Sequence, residues 1–292
     1  MAKQLFRVAF TNPGKSDEEK LVGITESFEI SDRVISAHAP VHVLELPVSY
    51  ARERGIGVYG RDLIAEWGNT LFYKHGLFEM DLPEPFEKMM RRLNYEGAII
   101  PHEALSEGGL YIFGKEFILV SDHLEPNAEF IRKTARETGP DVPVYFLPSI
   151  TSQRHGHIDC DYQFIDSRKL LYASHNVFHG KTEASVHALA KMKEIARRHN
   201  YWLKEYLTGE RNGNYAEMPD EWSLEDAIRA DSIRMNGINL INSANAVLTG
   251  SMHSKEKRYL QQHGVESVVV PLGKVGPGAG LRCVYGEFNL SN

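Results

Sequence analysis

Four stretches of this chain share one order of residues: a polar head, an apolar run, a tight turn and a second apolar run. Arg61-Asp62 precede LIAEW, the turn Gly68-Asn69 and TLFYK. Glu107-Gly108-Gly109 precede LYIF, the turn Gly114-Lys115 and FILVS. His157-Ile158-Asp159 precede a strand from Tyr162 to Ile165, the turn Asp166-Ser167-Arg168 and KLLYAS. Asn236-Gly237 precede INLI, the turn Asn242-Ser243 and NAVLTG. Turn formers between short apolar runs predict hairpins. A repeated unit of this size cannot bury its own apolar faces, so the copies must pack on one another.

Most of the hairpins lead into a helix and another strand. Phe86, Met89, Met90 and Leu93 have helical spacing, and Gly97 precedes a strand at 98 to 100. Pro126 opens a helix carrying Phe130, Ile131 and Ala135, which Gly139 stops before VPVYFL. Thr182 is placed to cap a helix from Glu183 to about His199, and a helix from Ser254 to His263 ends at Gly264 before VESVVVPL. A strand near Arg7 to Phe10 and the strand HVLEL supply a further copy. The expectation is one α/β domain over 1–292, in which about five strand–strand–helix–strand units close into a ring with their polar heads at one end. Residues 205–235 break the pattern and predict a surface insertion or a lid. Within it, Ser223 and Asp226 match a capping box.

The bulk numbers exclude several classes. A net charge of -6 argues against a nucleic-acid partner, which needs a basic face. No apolar run approaches the roughly 20 residues of a membrane span, and MAKQLFRVAF lacks a leader's apolar core. Two distant cysteines, Cys160 and Cys283, form no disulfide framework. The expectation is a cytoplasmic protein with free thiols and no membrane partner. Oligomeric state stays open, a homodimer included.

The reactive residue types fall at the heads of the repeats. Cys283 follows a run of small and turn-forming residues in GPGAGLRCVYGEF, where backbone can approach a ligand. Its only cationic neighbour in sequence is Arg282, so an activating partner must come from elsewhere. His155-Gly156-His157-Ile158-Asp159-Cys160 is the densest cluster. Read as a strand, it puts His157 and Asp159 on one face and Cys160 on the other, toward the packing. His157 and Asp159 then suit acid–base work beside a charged anchor. The same residues have a metal reading, with zinc on His155, His157 and Asp159. Glu107 and Asp62 are carboxylates at equivalent positions in their repeats. A thiol, an imidazole and three carboxylates in one cavity suit a small cationic substrate.

In these residues the chain resembles the pentein superfamily of guanidine-modifying enzymes, which includes arginine and agmatine deiminases, dimethylarginine dimethylaminohydrolase and arginine:glycine amidinotransferase. RDLIAEWGNTLFYKHGLFEM is similar to an amidinotransferase segment. EGGLYIFGKEFILVSDHLEPN is similar to the Glu-Gly-Gly hairpin of agmatine deiminases. HGHIDCDYQFI resembles the Gly-His-hydrophobic-Asp strand, and GPGAGLRCVYGEF the terminal Gly-rich segment with His-Cys. The resemblance implies a five-bladed ββαβ propeller. It implies Cys283 as nucleophile, His157 as general acid/base and Glu107 as the carboxylate that orients the histidine or touches the substrate. It further implies Asp62, Asp159, Arg61 and Gly108 as substrate-binding residues, with no metal and no cofactor. Arg282 stands where the family has His, Pro277 and Ala279 interrupt its glycine run, and Gly60 stands where transferases often have Pro.

The implied reaction is hydrolysis of a guanidinium C–N bond in an arginine-like substrate through an S-amidino intermediate. The alternatives are an amidinotransferase, a zinc hydrolase and a non-catalytic binding propeller.

Overall fold

The structure, a computed structural model, describes residues 2–11, 28–47, 60–74, 84–139, 141–151, 156–207, 241–242, 246–250, 252, 254–270 and 281–290. Of Ala2, Phe10, Thr11, Asp62, Glu84, Pro85, Glu103, Ala104 and Cys283 it describes the backbone only.

The described strands form five three-stranded sheets. Four have the order of the sequence repeat: β3 (Ile64–Trp67), β4 (Thr70–Tyr73) and β5 (Ala98–Pro101); β6 (Tyr111–Phe113), β7 (Ile118–Ser121) and β8 (Val144–Leu147); β9 (Tyr162–Ile165), β10 (Leu170–Ala173) and β11 (Trp202–Glu205); β12 (Ile241–Asn242), β13 (Ala246–Thr249) and β14 (Glu266–Val269). In each, a hairpin supplies the first two strands and a helical crossover returns the third parallel to the middle one, as in Ile64 opposite Tyr73 and Thr70 beside Ala98. The fifth sheet joins β1 (Ala2–Thr11) to β2 (Val41–Pro47) in parallel and to the last described strand, β15 (Gly286–Leu290), in antiparallel.

The apolar runs read in the sequence are the middle strands. TLFY, ILVS, LLYA and AVLT are buried at every position. Strand side chains alternate between faces, so a strand covered on both sides is apolar throughout rather than every second residue. Leu71 and Tyr73 pack with Phe6 and Val8 of the β1 sheet, whereas Phe72 packs with Tyr111 and Val120 of the β6 sheet. Leu119 and Leu171 meet between the β7 and β10 sheets; Tyr172 meets Val247 of the next. The fifth cluster joins Leu248 of β13 back to Leu5 of β1, through Leu281 and Val284. Each sheet thus shares a core with the one before and the one after.

Turn chemistry holds the hairpins in register. Gly68 has φ 58°, and a Cβ there would lie 1.6 Å from the Thr138 carbonyl oxygen. Only glycine lets this turn press against the end of the Ala128–Thr138 helix, where Asn69 N donates to Thr138 O at 3.1 Å. Thr182 caps the Glu183–His199 helix by accepting from Ser185 N at 3.1 Å.

The structure departs from the sequence reading at four places. Pro126 lies inside a 3-10 turn, Asp122–Asn127, and the α-helix starts at Ala128. Asn242, expected in a turn, is a strand residue paired with Val247; residues 243–245 lie outside the described residues. Glu205 ends β11 opposite Ala173, and Tyr206 is buried against the Tyr172 ring. Any insertion therefore starts beyond Tyr206; residues 208–240, with Ser223 and Asp226, lie outside the described residues. The fourth departure, at His157, belongs to the site below. No helix among the described residues is long and apolar enough to cross a membrane.

Candidate active site

Short turns precede the first strand of three sheets and β15 itself. They are Gly60–Leu63 before β3, Gly108–Leu110 before β6, Ile158–Cys160 before β9 and Leu281–Val284 before β15. They pack in series: the 281–284 turn on Gly60–Leu63, that turn on Gly108–Leu110, and that one on Ile158–Cys160. The backbone of Cys283 is thereby carried to the turn bearing Asp62, and both stand in one row with Glu107 and His157.

His157 and Asp159 are not on a strand. His157 precedes a 3-10 turn, Ile158–Cys160, and β9 begins only at Tyr162. The turn interrupts strand alternation, so His157 and Asp159 do not share a strand face. The His157 Nε2 is 2.8 Å from Glu107 Oε1. The imidazole is mostly covered and the carboxylate is about one-third exposed, with side-chain exposures of 13% and 31%. Asp159 has no exposed surface. The Cys160 thiol is also buried and donates to Asp159 Oδ1 at 3.7 Å. Its burial fits packing, but through the turn and not through the opposite face of a strand.

The Gly-Gly pair after Glu107 is explained by its two neighbours. A Cβ on Gly109 would lie 2.8 Å from the Cγ and Nδ1 of His157, and one on Gly108 would lie 2.5 Å from the Arg61 Nε. Any side chain would displace the imidazole or the guanidinium. Arg61 itself is 2% exposed, and its Nη2 donates to the Tyr111 carbonyl at 3.1 Å. Its charge is packed against Gly108 and the Tyr111 carbonyl rather than presented to solvent.

Asp161, which the sequence did not single out, anchors the frame around the His157 turn. It is fully buried and accepts from Ile150 N at 2.7 Å, Thr151 N at 2.9 Å, Ser174 Oγ at 2.8 Å and the Thr151 hydroxyl. Ser149 Oγ, 3.5 Å from the same carboxyl, donates to the His157 carbonyl at 2.9 Å. This network joins the end of β8, the His157 turn and the end of β10. Burial pushes the Asp161 carboxyl upward, against the pull of its hydrogen bonds from Thr151, Ser174 and Ile150. Its only trace in the sequence is a second aspartate in HIDCD.

Arg282 does not supply loose positive charge beside the thiol. Its Nε is 2.7 Å from Glu287 Oε1, and Lys3 reaches the same carboxylate at 2.5 Å. Burial pulls the Glu287 carboxyl upward, but Lys3, Arg282 and Arg61 outweigh it and hold it well below the usual carboxylate range. Of the zinc donors considered above, His157 engages Glu107, Asp159 is buried beside Cys160, and His155 lies outside the described residues.

No family model and no curated protein matches the sequence. Solved structures do match the fold. An agmatine deiminase of C. jejuni aligns with a TM-score of 0.64 at 14% identity, covering 99% of this chain and 94% of that one. A dimethylarginine dimethylaminohydrolase of Pseudomonas aeruginosa, a mutant complexed with citrulline, aligns at 0.61 and 11%, covering 99% and 100%. The N-terminal domain of a cyanobacterial arginine dihydrolase, covalently bound to a reaction intermediate, aligns at 0.61 and 12%, covering 98% and 97%. The likeness spans almost the whole of each partner, and the chain has the fold of these guanidine-modifying hydrolases, the pentein fold.

Proposed function

We propose that this protein is a cysteine-dependent hydrolase of a guanidinium C–N bond, with its five sheets as the blades of an α/β propeller and its site at the row of turns. The observation that carries the reading is the 2.8 Å contact between His157 Nε2 and Glu107 Oε1, made between two sheets in the series of turns that runs on through Asp62 to Cys283. An imidazole fixed by a carboxylate, within a row that also carries a cysteine and an aspartate, is the equipment that guanidine chemistry needs. The solved structures of this fold named above include a complex with citrulline and a covalent intermediate.

The roles follow from the substrate's chemistry. A guanidinium is planar, permanently charged and resonance-stabilised, so its carbon is a poor electrophile. Asp62 grips its N–H edges and fixes its plane, joined by Asp159 once the entering substrate uncovers that carboxylate. Arg61 and Gly108 support that grip from beneath. The cation favours the thiolate of Cys283, which attacks the carbon perpendicular to the plane. Such positioning contributes roughly 7 kcal/mol or more. A C–S bond forms, the C–N bond breaks, and His157, held by Glu107, gives its proton to the departing amine. His157 then takes a proton from water, and the resulting hydroxide displaces the sulfur from the S-amidino intermediate. A ureido product leaves and the thiolate returns.

The test is a panel of guanidino compounds, including arginine, agmatine and methylated arginines, assayed for ammonia, amine and ureido products beside Cys283→Ser. Release of a ureido product that depends on Cys283 is the expected result. Turnover that survives Cys283→Ser, or no C–N cleavage across the panel, overturns the reading. Product formed only when an acceptor amine is added would make the protein an amidinotransferase, which the Arg61 to Glu79 sequence resembles. The small cationic substrate and the cytoplasmic location belong to the same proposal.

A further inference from the structure

A second cluster of ligating side chains stands outside the site just described. His175 and His179 lie four residues apart on the His175–His179 helix, so both rings leave the same face. Their centroids are 4.5 Å apart. Glu205, the last residue of β11, reaches between them: its Oε1 is 2.8 Å from His175 Nδ1 and its Oε2 is 3.0 Å from His179 Nε2. One ligand atom from each of the three residues lies within 4.8 Å of the others, the one such group found among the described residues.

We propose that His175, His179 and Glu205 form a binding site for a divalent transition-metal ion, with zinc as its best-fitting occupant. Two imidazoles and one carboxylate are the donors a borderline-soft cation takes, with water as fourth ligand. The distances suit a site closed on itself without its ion. Donors about 2.0–2.1 Å from zinc in a tetrahedron stand about 3.3 Å apart, so each nitrogen–oxygen pair opens by a few tenths of an ångström while the remaining donor distances, all within 4.8 Å, close toward that value.

The supports are rigid and the approach is open. Ser174 caps the helix by accepting from Val177 N at 3.3 Å. Gly180 ends it in a turn so close that a Cβ would lie 2.2 Å from the Asn176 carbonyl oxygen. β11 is fixed by its parallel ladder with β10. The two histidine side chains are 41% and 56% exposed, so an ion can enter and a water can stay. Glu205 already engages both rings, one carboxylate oxygen to each, so its two oxygens face the nitrogens that would ligate. Protons compete with the ion for imidazole nitrogens and carboxylate oxygens, so affinity falls as the medium becomes more acid.

The ion would clip the start of the His175–His179 helix to the end of β11. That helix begins beside Ser174, which donates to Asp161, and Asn176 Nδ2 donates to Thr151 Oγ1 at 3.2 Å in the same network. The metal site is therefore a structural staple on the frame behind His157, and it stands whether or not the guanidine reading holds.

The test uses the full chain carrying Cys283→Ser, so that metal on that thiol is not counted. Chelator-treated protein is titrated with zinc chloride by equilibrium dialysis, with cobalt(II) absorption as a geometric probe. We expect one ion per chain and tetrahedral cobalt bands, with affinity falling at least about 100-fold in His175→Ala or His179→Ala. Absence of saturable binding below about 1 mM, or an affinity that neither substitution changes, overturns the proposal. Should a variant fail to fold, carbethoxylation of the two histidines in the parent, mapped by peptide mass spectrometry, gives a second reading. Protection of both by zinc supports the site, and equal modification with and without zinc overturns it.

Discussion

His157 and Glu107 stand 50 residues apart in sequence and head different sheets, yet Nε2 and Oε1 are 2.8 Å apart. Glu107 touches no reacting atom in the proposed chemistry; it aims the imidazole. Glu107→Gln keeps an acceptor oxygen and loses the charge, so kcat should fall by roughly 100- to 1,000-fold with KM changed less, within the range ascribed to acid–base groups. Steady-state kinetics on the compound identified in the product screen checks this. A variant with unchanged kcat would remove Glu107 from the machinery.

The adjacent glycines separate function from stability. Gly109→Ala pushes a methyl into the His157 ring, while Gly108→Ala pushes one into buried Arg61. Gly109→Ala should lower kcat with a small change in melting temperature. Gly108→Ala should destabilise the fold by about 1–3 kcal/mol, the usual cost of overpacking. Paired thermal melts and activity assays distinguish the two, and identical profiles would contradict the separate contacts.

Asp161 offers a test of positioning. Asp161→Asn keeps the shape but turns an acceptor into a donor that faces two backbone N–H groups or two hydroxyls. One or two groups are then left without acceptors, at about 1–3 kcal/mol each. Denaturant titration should show that loss, and kcat should fall because the Ser149 bridge to the His157 carbonyl loosens. A variant as stable and active as the parent would show that the network carries no weight.

Glu66 supplies a pH signature away from the site. It is half-buried, takes hydrogen bonds from Tyr95 OH at 3.2 Å and from the Asn289 amide, and desolvation pushes its carboxyl up to about 7. A raised carboxyl pKa means the folded state holds the proton more tightly than the unfolded chain. Its penalty is therefore absent below the unfolded value near 4.5 and grows until pH passes 7. Glu66→Gln should stabilise the protein by roughly 1–3 kcal/mol at pH 8 and by little at pH 4. Its amide can accept from Asn289 and donate to Tyr95. Melting temperatures across this range, variant minus parent, give the answer, and a difference that does not vary with pH would refute it.

Much of the fold was legible because its signals are local. Hairpins such as Ile64–Tyr73 and Leu170 to Ala173 with its partner, and the Glu183–His199 helix after Thr182, follow from turn residues, apolar runs and caps, all set by neighbours in the chain. Glu107, Gly108 and His157 could be singled out because they recur at the heads of repeats. What the chain order does not contain is which head meets which. The 3-10 turn under His157, the burial of Arg61, the Asp161 network and the pairing of His175 and His179 with Glu205 all arise where separate sheets and helices press together. Local propensity acts over a few residues, whereas contacts across sheets are settled by the packing of apolar faces far apart in sequence, and only tertiary structure records that outcome.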